Sequence, residues 1–583
     1  MRPPFFFCTK LFFMSSLHYL DWIVLLGTLL FIVIYGTIKT RKNKNLESYL
    51  KGDNSLGWAT IGLSVMATQA SAITFISTPG QAYESGLGFV QNYFGLPLAL
   101  IVVSAFFIPI YYKLKVYTAY EYLEGRFNTK TRLLTASLFL IQRGLAAGIT
   151  IYAPAIILSS VLNWDLTYTI LFVGVLVIIY TVSGGTKAVS ITQKYQMGII
   201  FLGMFIAFFT ILNQLPEDVG FFNALSISGK MGKLDAINFS FDLKERYTFW
   251  SGITGGFFLA LSYFGTDQSQ VQRYLSGKNI KESRMGLMFN AIVKIPMQYF
   301  ILMTGVMVFV FYQFQDHPLL FDQTTTTELR ESKNAERFID LENEAEGVFN
   351  LKQEKLTEAI EYKESDPIAY DAKIQEVVAL EKNYKKIRSD AKSLVTETFP
   401  NHSTIDSDYV FLSFIMNYLP NGLIGLLLAV IISAAMSSTA GELNALGSTT
   451  TIDFYKRLIY KNGDDEHLVL ASKYLTLFWG ALAILFALFA QLLENLIEAV
   501  NILGSLFYGT ILGVFLVAII FKSVKGNAVF IGALIAQVIV FVLFAFYQHL
   551  IAYLWFNLIG CGSVIIFSLL MAKVGRSNKS LAN

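Results

Sequence analysis

Apolar runs of about 18 residues or more recur along this chain, each long enough to cross a bilayer core of about 30 Å as a helix. Hydrocarbon offers backbone amides and carbonyls no partners, so spanning segments must pair them internally, and helices do so. The runs predict a lead-in helix at 19–38. Ten core helices follow, at 56–80, 87–112, 131–161, 165–182, 190–212, 248–275, 284–314, 408–441, 467–492 and 495–521. Two more lie at 526–548 and 551–573, giving an all-α polytopic membrane protein of about thirteen transmembrane helices. Composition agrees, with 54% of the 583 residues hydrophobic and 15% charged, against about 25% charged in a soluble domain.

Basic residues test this count. They follow the lead-in helix (Lys39, Arg41, Lys42, Lys44) and the second core helix (Lys113, Lys115, Arg126, Lys130, Arg132). They recur after the fourth (Lys187, Lys194), the sixth (Lys278, Lys281, Arg284), the eighth (Lys456, Arg457, Lys461) and the tenth (Lys522, Lys525). Lys573, Arg576 and Lys579 close the chain. Every second loop is basic, which by the positive-inside rule places the N-terminus outside and the C-terminus in the cytoplasm of a bacterial inner membrane. Met1 to Phe13 reads either as a signal-like stretch lacking a small-residue cleavage site or as a start called too early, with Met14 the true beginning.

Other classes fit poorly. Cys8 and Cys561 lie near opposite ends, and five scattered histidines make no zinc pattern. No nucleophile–His–carboxylate set points to an enzyme. The net charge of +3 gives no sign of a nucleic-acid partner. Residues 315–407 are polar, rich in Glu and Lys, and helically patterned. They read as an extracytoplasmic helical hairpin with solvated faces, with docking of a periplasmic partner as the other reading.

Two core helices carry breaks. In the first, Thr68-Gln69-Ala70-Ser71 is small and polar, and Pro79-Gly80 follows. The sixth holds Gly252, Gly255, Gly256 and Gly265, then Thr266, Asp267 and Gln268. Paired breaks at matching places point to a midplane site, where freed carbonyls bind a cation and half-helix ends face a solute. The plainer reading is that Gly and Pro are common in membrane helices. In the eighth, Ala434, Ser437 and Ser438 share one helical face. Paired hydroxyls with a carbonyl suit a hard monovalent cation; they also suit ordinary Ser packing against the preceding turn.

Five segments, TAYEYLEGRFN (118–128), ITIYAPAIIL (149–158), YTVSGGTKAV (180–189), TDQSQVQRYLSGK (266–278) and SSTAGELNALGSTTTIDFYK (437–456), occur in an order that resembles the sodium/solute symporter family. Within it they are most similar to the iodide, monocarboxylate and multivitamin branch. The resemblance implies the leucine-transporter-type fold, with inverted five-helix repeats at 56–212 and 248–521, the second interrupted by the insertion. It implies a co-transported sodium held by the carbonyls of Ala67, Ala70 and Ala434 and the hydroxyls of Ser437 and Ser438. Where the family carries Thr-Asp after GGTKAV, this chain has Thr192-Gln193, and Ala440 and Gly441 stand where some members have further hydroxyls. One sodium per solute is therefore expected.

The resemblance places the solute beside the breaks, near Gln69, Ser71, Thr74, Asn92, Tyr263, Lys294 and Asn501. Tyr263 reads as an inner gate, or as a packed ring with its hydroxyl satisfied. Arg143 and Lys294 are intramembrane cations, costly unless they face the bundle or a cavity. Arg143 has three readings: it grips an anion bidentately, pairs with an internal carboxylate such as Asp267, or snorkels toward the cytoplasm. The implied function is sodium-driven uptake of a small carboxylate or vitamin-like anion, with a sugar or sialic acid as the alternative. A solute-binding sensor without net transport is the rival from another class.

Overall fold

The computed structural model describes residues 17–40, 46–162, 164–363, 365–400, 402, 404, 406–461, 464–490 and 496–580. Cys8, Met14 and the basic residues Arg41, Lys42 and Lys44 lie outside them. The first half contains α1 (Tyr19–Thr40), α2 (Trp58–Gln69), α3 (Ala72–Ser85), α4 (Thr129–Leu162) and α5 (Leu166–Asn213). Then come α6 (Gly256–Thr266), α7 (Gln268–Leu275) and α8 (Ile280–Phe314). The insertion supplies α9 (Ala335–Tyr362) and α10 (Pro367–Thr398). The chain continues with α11 (Leu423–Thr449), α12 (Asp465–Phe489), α13 (Leu496–Ile520), α14 (Gly526–Tyr547) and α15 (Leu554–Ser580).

Among the described residues, nine helical segments are long and apolar enough to cross a membrane, and Tyr19–Phe31 and Leu166–Val182 are shorter apolar helices. The expected crossing at 56–80 is divided between α2 and α3. That at 248–275 is divided among a π-helical turn (Ser251–Gly255), α6 and α7, so neither is one long helix. The helices expected at 165–182 and 190–212 are present as two helices that meet at a sharp break at Gly185 (φ 60°, ψ −176°), together labelled α5. Positive φ favours glycine, and a Cβ there would stand 2.8 Å from Tyr49 Cδ2.

Burial separates the centre from the rim. The apolar stretch of α11 is 89% buried, against 33% for α12 and α14, so α11 is the central post and the other two form part of the outer surface. Asp21, buried in α1, accepts from the amides of Gly422 and Gly425 at 2.6 and 2.8 Å, satisfying two unpaired donors at the start of α11.

The insertion forms a two-helix hairpin. Its core includes Phe338, Phe349, Tyr384, Ile387 and Leu394, with a buried Lys352–Glu381 pair at 2.8 Å. Arg388 Nη2 reaches Asp406 at 2.7 Å and Glu84, at the end of α3, at 3.0 Å. Gln353 Nε2 donates to the Phe314 carbonyl at the end of α8, 2.7 Å away. The hairpin is thereby tied to the α3 half of the broken first helix.

Candidate functional site

The break between α2 and α3 falls at Ala70 (φ −87°, ψ 77°) and Ser71 (φ −78°, ψ 174°). Leaving the helical region here frees carbonyls of the last turn of α2. Ser437 Oγ, on α11, lies 3.4 Å from the Ala67 carbonyl, so the serine face meets the end of α2. Ser438 Oγ lies 3.1 Å from the Ala434 carbonyl and 3.2 Å from that of Ala435. Ala67, Ala70, Ala434, Ser437 and Ser438 are all fully buried. Of the oxygen donors expected to hold sodium, the Ser437 hydroxyl and the Ala67 carbonyl face each other inside the bundle, while Ser438 bonds back to the preceding turn of α11.

Gln193, on α5, closes this pocket from the side. Its Oε1 accepts from Ser64 Oγ at 2.5 Å, and its Nε2 donates to Thr68 Oγ1 at 3.1 Å and the Ser437 carbonyl at 3.0 Å. The polar atoms of this neutral amide are engaged by α2 and α11.

The second break falls at Asp267 (φ −77°, ψ 120°), whose side chain caps α7 by accepting from the Ser269 amide at 2.8 Å. Between the two breaks lies a cavity of about 100 Å³. Gln69, Ser71 and Thr74 line it from the first break, Asn92 from the segment after α3, and Tyr263 from α6. Arg143 (α4) and Asn501 (α13) complete the expected residues on its wall. Gln69 Oε1 and Asn92 Oδ1 are buried without protein partners. Asn501 Nδ2 donates back to the Ile497 carbonyl at 2.8 Å. Lys294 is fully buried, but the wall is formed by its neighbour Tyr93; the Lys294 ammonium stands 5.3 Å from that ring's centroid.

Of the three readings for Arg143, the structure shows pairing. Its Nη1 donates to Glu442 Oε1 at 3.0 Å, and its Nη2 donates to Asp267 and Tyr508. Glu442 Oε2 also accepts from Thr150 Oγ1 at 2.8 Å, and the Tyr508 hydroxyl donates to Asp267 at 2.9 Å. Two carboxylates therefore face one guanidinium, in contrast to a free cation awaiting an anion. The Tyr263 ring lies 5.4 Å from the Arg143 guanidinium, and its hydroxyl accepts from Gln270 Nε2 at 2.5 Å. Tyr263 thus lines the cavity with its hydroxyl satisfied.

Sequence reasoning missed Glu442 and Tyr508. Glu442 is a lone acid one turn beyond Ser438 in an apolar helix, and the rule that singled out Arg143 applies to it equally.

Broken helices flanking a buried polar cavity, with an oxygen-lined pocket beside it, define a polytopic membrane protein of the secondary-transporter type. A sequence model of the sodium:solute symporter family matches residues 49–339 and 396–539, and the chain belongs to this family. The unmatched gap falls in the α9–α10 hairpin. Bovine sodium-coupled monocarboxylate transporter 2 is 26% identical over 527 residues, 89% of this chain and 72% of that protein. Its human counterpart is 32% identical over 260 residues, 44% of this chain and 41% of that protein. A solved Na+-coupled sialic acid symporter, substrate-bound and outward-open, superposes with a TM-score of 0.73 at 23% identity, covering 96% of this chain and 98% of that one. At that identity the likeness speaks for the fold.

Proposed function

We propose that this chain is a sodium-coupled symporter that brings a small organic solute into the cell by alternating access, with one sodium per solute. The observation that carries this reading is the facing of the Ala67 carbonyl and the Ser437 hydroxyl across the α2–α3 break. Ala67, Ala70, Ala434, Ser437 and Ser438 are the proposed sodium ligands. Gln69, Ser71, Thr74, Asn92 and Asn501 contact the solute, with Tyr263 on its inner side and Arg143 and Lys294 close by. The N-terminus is outside, and the basic loops and C-terminus face the cytoplasm of a bacterial inner membrane. The insertion is then extracytoplasmic, open to a periplasmic partner.

Sodium joining α2 to α11 stabilises the arrangement in which the solute cavity is ordered. The membrane potential contributes about 2.3 kcal/mol per 100 mV for each charge moved. The monocarboxylate relatives support a small carboxylate or vitamin-like anion as solute. A neutral polyhydroxylated solute is the second reading, favoured by the two carboxylates on Arg143 and the free acceptors of Gln69 and Asn92.

The test is thermal stabilisation of purified protein by sodium, compared with potassium, together with uptake into vesicles. Ser438→Ala is expected to lose the sodium-specific stabilisation. Full retention would remove this pocket, and sodium binding without uptake would favour a sensor.

A further inference from the structure

Arg273, on α7, is fully buried and is the largest such side chain among the described residues. Unlike Arg143, it meets no carboxylate: its Nη1 donates to Ser190 Oγ at 3.2 Å, while Nε and Nη2 have no partner. A buried charge without a counter-charge is costly, so its surroundings should show what it acts on. A Cβ on Gly441 would lie 2.9 Å from Arg273 Nη2 and 3.6 Å from Thr68 Oγ1. Gly441 is four residues beyond Ser437 on α11, one helical turn along the same face. Thr68 is the residue that Gln193 holds at 3.1 Å. The guanidinium therefore stands about one turn from the proposed sodium pocket, toward the end of α11 that leads to Lys456 and Arg457. The side chain at 193 that is held against Thr68 is a neutral amide.

We propose that Arg273 is a tethered cation that sets the sodium affinity of this pocket, weakening binding by repulsion from the side on which the ion leaves. This rests on the symporter reading above. The protein holds the charge in place because Ser190 and the close packing at Gly441 fix its position. Release toward the cytoplasm is thereby favoured in a pocket of neutral oxygens that carries no acid of its own.

The experiment is a sodium titration of the full chain, read by thermal stabilisation and by uptake into proteoliposomes, in the wild type, Arg273→Met and Arg273→Lys. A unit charge one to two turns from the ion, at an effective dielectric of about 20, changes binding by about ten- to two-hundredfold. Arg273→Met is expected to lower the half-saturating sodium concentration by a factor in that range, while Arg273→Lys keeps the wild-type value. A merely structural role moves the value the other way. An unchanged or higher value in Arg273→Met, with the wild type responding to sodium, overturns the role of Arg273 alone. No sodium response in the wild type overturns the symporter reading and this role with it. If Arg273→Met does not fold, Arg273→Gln carries the same expectation and the same refutation.

Discussion

Arg143 is held by Asp267 from the second break and by Glu442 from the central helix, so three helices meet in one charged group beside the cavity. Removing one partner of a buried ionic group costs about 3–5 kcal/mol, because the other is left uncompensated. Arg143→Met leaves two neighbouring carboxylates unpaired, whereas Glu442→Gln leaves Arg143 its bond to Asp267. Arg143→Met is therefore expected to lower the thermal midpoint of the purified protein further. An equal or smaller loss would count against the network. The pairing of Arg143 with Asp267 was within reach of the sequence, because an intramembrane cation needs a partner. Glu442 was not found because the adjacent hydroxyls of Ser437 and Ser438 already explained that face of the helix.

The broken helices show what an element's sequence can and cannot convey. The break between α2 and α3 was legible, since Thr68-Gln69-Ala70-Ser71 puts small polar residues where an apolar run would otherwise continue. The sharp break at Gly185 within α5 was not. There the chain turns at positive φ with Tyr49 pressed against the glycine, a contact between distant parts of the chain. The helical character of the insertion was legible from its charge pattern, but its attachment to Glu84 depends on tertiary geometry. Burial alone would raise the Asp406 carboxyl. The charges of Arg388 and Lys392 outweigh it and hold Asp406 down at about 2. The folded value lies below that of a free carboxylate, so this contribution is present above about pH 4 and is lost as the pH falls toward 2. Hydrogen exchange at the α9–α10 hairpin should accelerate over that interval. Arg388→Ala should produce the same loosening at neutral pH, at a cost of about 3 kcal/mol. Unchanged exchange in that variant would show that the hairpin is held by other contacts.

At the scale of the whole molecule, the stoichiometry follows from how Gln193 is used. Its amide is bonded to Ser64, Thr68 and Ser437, and Ala440 and Gly441 bring no side-chain oxygens nearby. Flux measurements in proteoliposomes are expected to give one sodium per solute; a reproducible ratio of two would refute that count. Charge movement then separates the two solute classes. A neutral solute carries one net charge inward per cycle, while a monovalent anion carries none, so a voltage step changes uptake of the first far more than that of the second. The positions of the long apolar helices along the chain were legible from hydropathy. The side-chain network that joins them came only with the structure.

Arg388 grips the tip of α3, and α3 is one half of the helix whose interruption holds the proposed ion site. In the proposed alternating-access cycle the hairpin is therefore a handle on a moving part. An antibody fragment that clamps its exposed faces would be able to stall the cycle from outside, reaching neither the solute nor the ion.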